Sequence, residues 1–276
     1  MKKLNIIVIP VYKEYMDVDE RISFARCCKI LGNHPICIVT YPELQLDEYE
    51  NIADKYHVCL QRENFDKRFF DGIEGYCKLC VNPQFYKRFN GYLYMLIYQL
   101  DAYVFSDELD EWCTKGYDYI GAPFMELDRN SFWFWGLVGN GGFSLRKISK
   151  IRKVLRYRGP LYKPYYIFAK YYKRTLKTLL IAILHSLGYK NTQRWYIHSK
   201  DGDDIYYCHT LKHTWMELYV PSPYEASQFA IETHPEECYN AIGKLPFGCH
   251  AWHKYEYDSF WNKFINHENI SYHTDI

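Results

Sequence analysis

Four short stretches of the chain combine residue types that could hold a cation, a phosphate or a proton in transit. The first is Gln99-Leu100-Asp101-Ala102-Tyr103-Val104-Phe105, which sets an acid at the end of a strongly apolar run. A carboxylate there can hold a divalent cation that neutralises a departing diphosphate, and oxygen ligation suits Mg²⁺ or Mn²⁺. The second is Val138-Gly139-Asn140-Gly141-Gly142-Phe143-Ser144-Leu145-Arg146. Three glycines in four positions let backbone approach a ligand closely, and Arg146 could pair with phosphate through two parallel hydrogen bonds. Asp201-Gly202-Asp203-Asp204 is the third, where a carboxylate beside a basic region could deprotonate a hydroxyl. Last comes Pro246-Phe247-Gly248-Cys249-His250-Ala251-Trp252: the imidazole of His250 could complete a metal site or contact a diphosphate, and Trp252 could stack on a sugar. Each stretch also has a plain structural reading. Asp101 could be a turn or cap residue, the glycines a bulge, one of the two aspartates a helix N-cap, and His250 a packed loop residue.

The elements that must position these residues read as α/β. Asn5–Val11 is a buried strand, 19–31 a helix and 35–40 a second buried strand, a β-α-β start that implies a parallel sheet with a ligand crevice at its strand ends. A helix over 47–55, a short strand over 57–61 and a helix over 83–89 follow. The run Tyr92-Leu93-Tyr94-Met95-Leu96-Ile97-Tyr98-Gln99-Leu100 reads as a central strand that delivers Asp101 to the sheet edge. Short strands are expected at 118–122 and 139–145, then helices over 147–158, 165–187 and 203–213, with Gly188 closing the second of these.

Charge is segregated along the chain. The total is only +1, yet 129–200 contains no Asp or Glu and sixteen Lys or Arg, leaving eighteen of the 34 bases to face all 33 acids elsewhere. Such a field attracts phosphates, whether of a nucleotide or of a lipid headgroup. Lys170, Lys173, Arg174 and Lys177 recur at helical spacing, with Tyr172, Leu176, Leu179, Leu180, Ile183 and Leu187 largely on the other side, so 165–187 reads as a basic amphipathic helix lying in an anionic membrane surface. Its apolar runs are too short to span a bilayer. The competing reading packs that apolar face on the protein itself. No nucleic-acid-reading motif accompanies the basic segment, so nucleic acid is not an expected partner.

The remaining composition is that of a globular protein: 48% hydrophobic and 24% charged, with 29 Tyr among 19% aromatics. Those rings suit a ligand with faces to stack on, although an aromatic-rich core accounts for them too. The opening segment is too short in apolar residues for a secretion signal, which favours a cytoplasmic protein with its ten cysteines reduced. Cys77 and Cys80 lack a second pair at zinc-finger spacing, which favours structural burial.

Taken in order, these motifs resemble the GT-A class of nucleotide-sugar glycosyltransferases. They are most similar to an uncharacterised glycosyltransferase-like family common in bacterial polysaccharide gene clusters. The resemblance runs through Val8-Ile9-Pro10-Val11-Tyr12-Lys13-Glu14, 65–76, 94–105, 117–123, 139–146, Asp203-Asp204 and 246–252, nearly the whole chain outside the basic segment. It implies a single GT-A-like domain over 1–276, a Rossmann-like and mainly parallel sheet flanked by helices, with 147–200 as a basic helical insertion. Pro10, Val11, Tyr12 and Glu14 would line the nucleotide pocket, with Asp101, Asn140, Gly141, Gly142 and Arg146 also on the donor. Asp204 would be the catalytic base, Asp203 and Trp252 would meet the acceptor, and Asp101 with His250 would hold Mn²⁺ or Mg²⁺. One departure stands out. Where many GT-A enzymes carry Asp-x-Asp, this chain has Asp101-Ala102-Tyr103, and Tyr103 cannot replace a carboxylate at neutral pH.

The reaction so implied moves a sugar from a nucleoside diphosphate to a hydroxyl of a glycan or lipid-linked acceptor, with inversion, at the inner face of the cell membrane. Two other classes use related parts. A nucleotidyltransferase would carry a Gly-rich basic loop after the first strand, which Val11-Tyr12-Lys13-Glu14 does not resemble. A membrane-associated glycan-binding protein would keep the aromatics without needing Asp204.

Overall fold

The computed structural model describes residues 2–128, 131–197 and 202–265. The opening apolar run forms β1 (Lys3–Pro10), followed by α1 (Val18–Leu31), whose start is fixed by a reciprocal capping box between Asp17 and Glu20. Then come β2 (Ile36–Thr40), α2 (Asp47–Lys55), β3 (Gln61–Asn64), a 3₁₀ turn over Lys67–Phe70, α3 (Gly72–Cys80), α4 (Pro83–Arg88) and β4 (Tyr92–Tyr98). The chain continues through β5 (Ala102–Val104), α5 (Leu109–Thr114), β6 (Tyr119–Gly121), the hairpin β7 (Pro123–Asp128) and β8 (Ser131–Val138), and β9 (Phe143–Lys147). Helices α6 (Ile148–Arg156), α7 (Pro164–Tyr171), α8 (Leu176–Ser186), α9 (Gln193–Tyr196) and α10 (Asp203–Ile205) follow, and a π turn over Tyr206–Thr210 extends the last. Next come α11 (Pro223–Phe229), β10 (Ala230–Ile231), α12 (Pro235–Ile242) and β11 (Gly248–His250), followed by a 3₁₀ turn over Trp261–Lys263.

The main sheet has the order β3-β2-β1-β4-β9-β6, parallel from β3 to β4 and antiparallel at β9. The fold is therefore the expected mixed, mainly parallel α/β class. Alternate residues of the central strands feed two cores: Ile7 and Ile9 pack with Phe24, Cys27 and Leu31 of α1, while Ile6 and Val8 pack with Leu79, Phe85, Tyr86 and Ile151 from α3, α4 and α6. This explains why β1, β2 and β4 read as continuous apolar runs: both faces are covered by helices. A small second sheet, β10-β11-β5, is backed by a third core around Trp252 and Trp261.

The chain winds from β1 outward to β3 and then crosses back to place β4 on the other side of β1. The strand order thus reverses between β1 and β4, and open α/β sheets form a ligand crevice at the carboxyl ends of the strands flanking such a reversal.

Four expectations fail locally. The strand expected at 57–61 lies at 61–64, and the glycines of 139–142 form a loop, so that strand begins only at Phe143. Helix continues only to Ile205 after Asp203 before the π turn takes over. The single helix over 165–187 is two, α7 and α8. Arg174 holds a left-handed backbone (φ 58°) and Thr175 caps a new start through Thr178, so Lys170, Lys173, Arg174 and Lys177 do not share one helical stripe.

Candidate donor-binding site

A cavity of about 530 Å³ opens where β1 and β4 end. Pro10, Tyr12 and Lys13 follow from β1, and Gln99, Leu100 and Asp101 follow from β4. The first turn of α1 adds Asp17, Asp19 and Glu20, the 3₁₀ turn and α3 add Phe69, Phe70, Ile73 and Tyr76, and His253 and Lys254 come from the segment after β11. Aromatic walls suit the face of a base or sugar. The turn of α1 is acidic and self-capped, so it offers hydroxyl-binding carboxylates rather than an anion site. Lys13 lies 2.6 Å from Glu20.

On one side of this cavity a polar cluster converges. His250 Nε2 lies 3.1 Å from Asp101 Oδ1 and 3.1 Å from Gln99 Oε1, while His250 Nδ1 lies 3.0 Å from Glu232 Oε1. Asn140 donates to the other Glu232 oxygen at 2.8 Å, and Lys254 Nζ lies 3.4 Å from Asp101 Oδ2. Burial alone would lower the pKa of His250, but its hydrogen bonds to Asp101 and Glu232 and their charges raise it to about 9. Burial would likewise raise Asp101, and His250 with Lys254 outweighs it, holding that carboxyl well below the usual range. Gly142 makes the approach possible: a Cβ there would sit 2.0 Å from His250 Nε2.

Of the residues in this cluster, Asp101, His250 and Gln99 could hold a divalent cation. Asp101 and Gln99 each place an oxygen within hydrogen-bond distance of His250 Nε2, and Glu232 on Nδ1 is the kind of outer carboxylate that commonly orients a metal-bound imidazole. The nitrogen favours Mn²⁺ over the more oxygen-demanding Mg²⁺. Elsewhere among the described residues, His234, Glu237 and Glu256 bring ligand atoms within 4.8 Å of one another, a cluster the sequence did not suggest.

The sequence-derived site residues divide accordingly. Pro10, Tyr12 and Asp101 line the cavity, and His250, Asn140 and Gly142 are joined to it through the cluster. Val11 does not offer its side chain, which is fully buried in the core, and Glu14 is exposed outside the cavity lining. Arg146 cannot reach a phosphate. It is wholly buried, 2.9 Å from Asp203 Oδ2, donating to Ser144 Oγ and Tyr86 Oη and lying over the rings of Tyr119 and Tyr207. Asp203, 5% exposed, is spent on that ion pair rather than on an acceptor. Trp252 is also fully buried, packed against Tyr103 and Tyr257, and cannot stack on a sugar. Asp201 lies outside the described residues. Tyr103 turns away towards Arg26 and Trp252, so the residue beside Asp101 at the site is Gln99, two positions earlier.

Asp204 is the freer of the two aspartates. It accepts from the Ile205 N–H at 2.7 Å, and its Cβ lies 3.6 Å from where a Gly141 Cβ would be, which places it across the glycine loop from Gly142 and His250. Burial, then the charge of Asp203, raises its pKa, the direction that suits a proton acceptor.

Sequence reading missed Gln99, Glu232 and Lys254. The spacing of Gln99 from Asp101 and of Lys254 from His250 was available, whereas nothing in the sequence marks Glu232.

A family model described as "Protein of unknown function (DUF5672)" matches residues 59–250, a span that holds Asp101, the glycine loop, Asp203-Asp204, Glu232 and His250. The chain belongs to the DUF5672 family. No curated protein matches the sequence. Among solved structures it is similar to the apo form of the glycosyltransferase GlyE from Streptococcus pneumoniae TIGR4, with a TM-score of 0.46 and 14% identity over 91% of this chain and 54% of that one. It thus spans about half the length of that protein. Core-mannan synthase A of Aspergillus fumigatus in its Mn/GDP form gives 0.40 and 10% identity, covering 74% of this chain and 68% of that one. A 4-diphosphocytidyl-2C-methyl-D-erythritol synthase gives 0.32 and 13%, covering 56% and 79%. Function therefore has to come from the site rather than from these distant likenesses.

Proposed function

We propose that this DUF5672 protein is a nucleotide-sugar-dependent glycosyltransferase that works by inversion. The observation that carries the reading is the convergence of Asp101, Gln99 and His250 beside an aromatic-walled cavity at the β1/β4 strand reversal. In this reading the base and ribose occupy the cavity between Tyr12 and the Phe69-Phe70 turn, with Asp17 and Glu20 available to ribose hydroxyls. The diphosphate lies towards Asp101 and Lys254. Mn²⁺ or Mg²⁺, held by Asp101, His250 and Gln99, would supply charge to the departing diphosphate.

The acceptor hydroxyl oxygen attacks the anomeric carbon, the bond from that carbon to the diphosphate oxygen breaks, and the hydroxyl proton passes to Asp204. Arg146 acts at one remove: its ion pair with Asp203 fixes the short helix that presents Asp204. We take 1–276 as one catalytic domain with 147–200 inserted, and a glycan or lipid-linked acceptor of surface-polysaccharide synthesis, met at the inner face of the cell membrane, as the substrate.

The test is thermal stabilisation by UDP-, GDP-, CMP- and dTDP-sugars with and without Mn²⁺. A donor at a hundred times its dissociation constant should stabilise by about 2.7 kcal/mol. A shift with one nucleotide, lost in Asp101→Asn and retained in Asp204→Asn, is the expected result. No shift with any donor, with or without Mn²⁺, would overturn the reading.

A further inference from the structure

Helix α8 is amphipathic in the reverse of the usual sense. Its turn towards the protein carries Ala182, fully buried, flanked by Thr178 and Ser186, whose hydroxyls bond to backbone within the helix. Outward it presents Leu176, Leu180, Ile183, Leu184 and Leu187, 74, 53, 40, 49 and 77% exposed. At helical spacing these five fall within an arc of about 100°. A soluble helix ordinarily turns such an arc inward, and an exposed patch of this kind marks an interaction surface.

The rim of the patch states what it would meet. Lys173 and Arg174 sit in the turn just before α8 and Lys177 on its first turn, all exposed and without an ion pair among the described residues, in a stretch of 72 residues lacking any acid. Beyond its far end Tyr189 and Trp195 are exposed, with Lys190 against both rings. Apolar centre, basic margin and amphipathic aromatics match an anionic bilayer surface, where bases meet headgroup phosphates and leucines enter the acyl boundary. No described helix is long and apolar enough to cross a membrane.

We infer that the outward face of α8 is a membrane-docking surface that inserts shallowly into bilayers containing anionic lipid. This deepens the proposed function, since it rests on a lipid-linked acceptor for its purpose, but it is tested without donor or activity.

The experiment is co-sedimentation of the whole protein with vesicles of phosphatidylglycerol and phosphatidylcholine in equal parts, against phosphatidylcholine alone. Binding should require the anionic lipid and fall at least tenfold in Leu180→Asp/Leu184→Asp. Lys173→Gln/Arg174→Gln/Lys177→Gln should weaken it by roughly fivefold per base removed. All these side chains are exposed, so far-UV dichroism and the melting temperature should stay as in the wild type. Absence of vesicle binding, binding indifferent to the leucine substitutions, or a dimer in light scattering that those substitutions disperse would overturn the inference. The last result would assign the face to a second copy of the chain.

Discussion

Proton and cation should compete at His250. Imidazole must be neutral to ligate, and the two carboxylates that flank the ring raise its pKa to about 9. At pH 7 roughly one molecule in a hundred then has Nε2 free, which costs binding about 2.7 kcal/mol relative to the deprotonated site. Raising the pH from 7 to 8 should therefore lower the Mn²⁺ dissociation constant about tenfold, with close to one proton released per cation. Asp101 contributes nothing to this slope, because its carboxyl is held ionised far below that range. Calorimetric titration in two buffers of different ionisation enthalpy reads both quantities. Without metal the same proton stabilises the fold. The native pKa lies above the usual value of 6.5, so the full contribution is present below 6.5 and is lost as pH rises through about 9, a total of about 3 kcal/mol. Melting in chelator should fall across that window, and His250→Gln should flatten both profiles. A dissociation constant unchanged between pH 7 and 8 with no proton release would refute the assignment of His250 as a charged, displaceable ligand.

Other substitutions probe the supporting structure. Arg146→Met leaves Asp203 buried without its cation and should lower stability by about 3–5 kcal/mol in urea unfolding. Gly142→Ala forces a methyl group against His250 and should abolish Mn²⁺ binding in calorimetry while far-UV dichroism stays native. Asp204→Asn should reduce turnover by roughly 10²-fold or more, the scale of a lost general base, without changing donor-induced stabilisation. Trp252→Phe, a change within the core, should lower the melting temperature and leave acceptor affinity unchanged in steady-state kinetics.

By itself the sequence determined the architecture around the site. Apolar runs long enough for a strand and bounded by polar residues can only be covered on both faces, so β1, β2 and β4 and the helices α1, α2 and α4 were legible, though not α3, and with them the arrival of Asp101 at a strand end. The charge segregation and the apolar periodicity of 176–187 were equally plain. Periodicity, though, reports that a face is apolar and not what the face meets. Only the packed structure shows α8 turned outward and Trp252 inward. The same holds for charge: Arg146 reads as a phosphate ligand until Asp203, Tyr86 and Tyr119 are seen to enclose it. The polar cluster was the least legible of all, because Gln99 and Glu232 directly follow β4 and β10 and His250 ends β11, and only the pairing of β11 with β5 and β10 brings them within 3.1 Å. Contacts across more than a hundred residues depend on sheet topology, which no local spacing encodes.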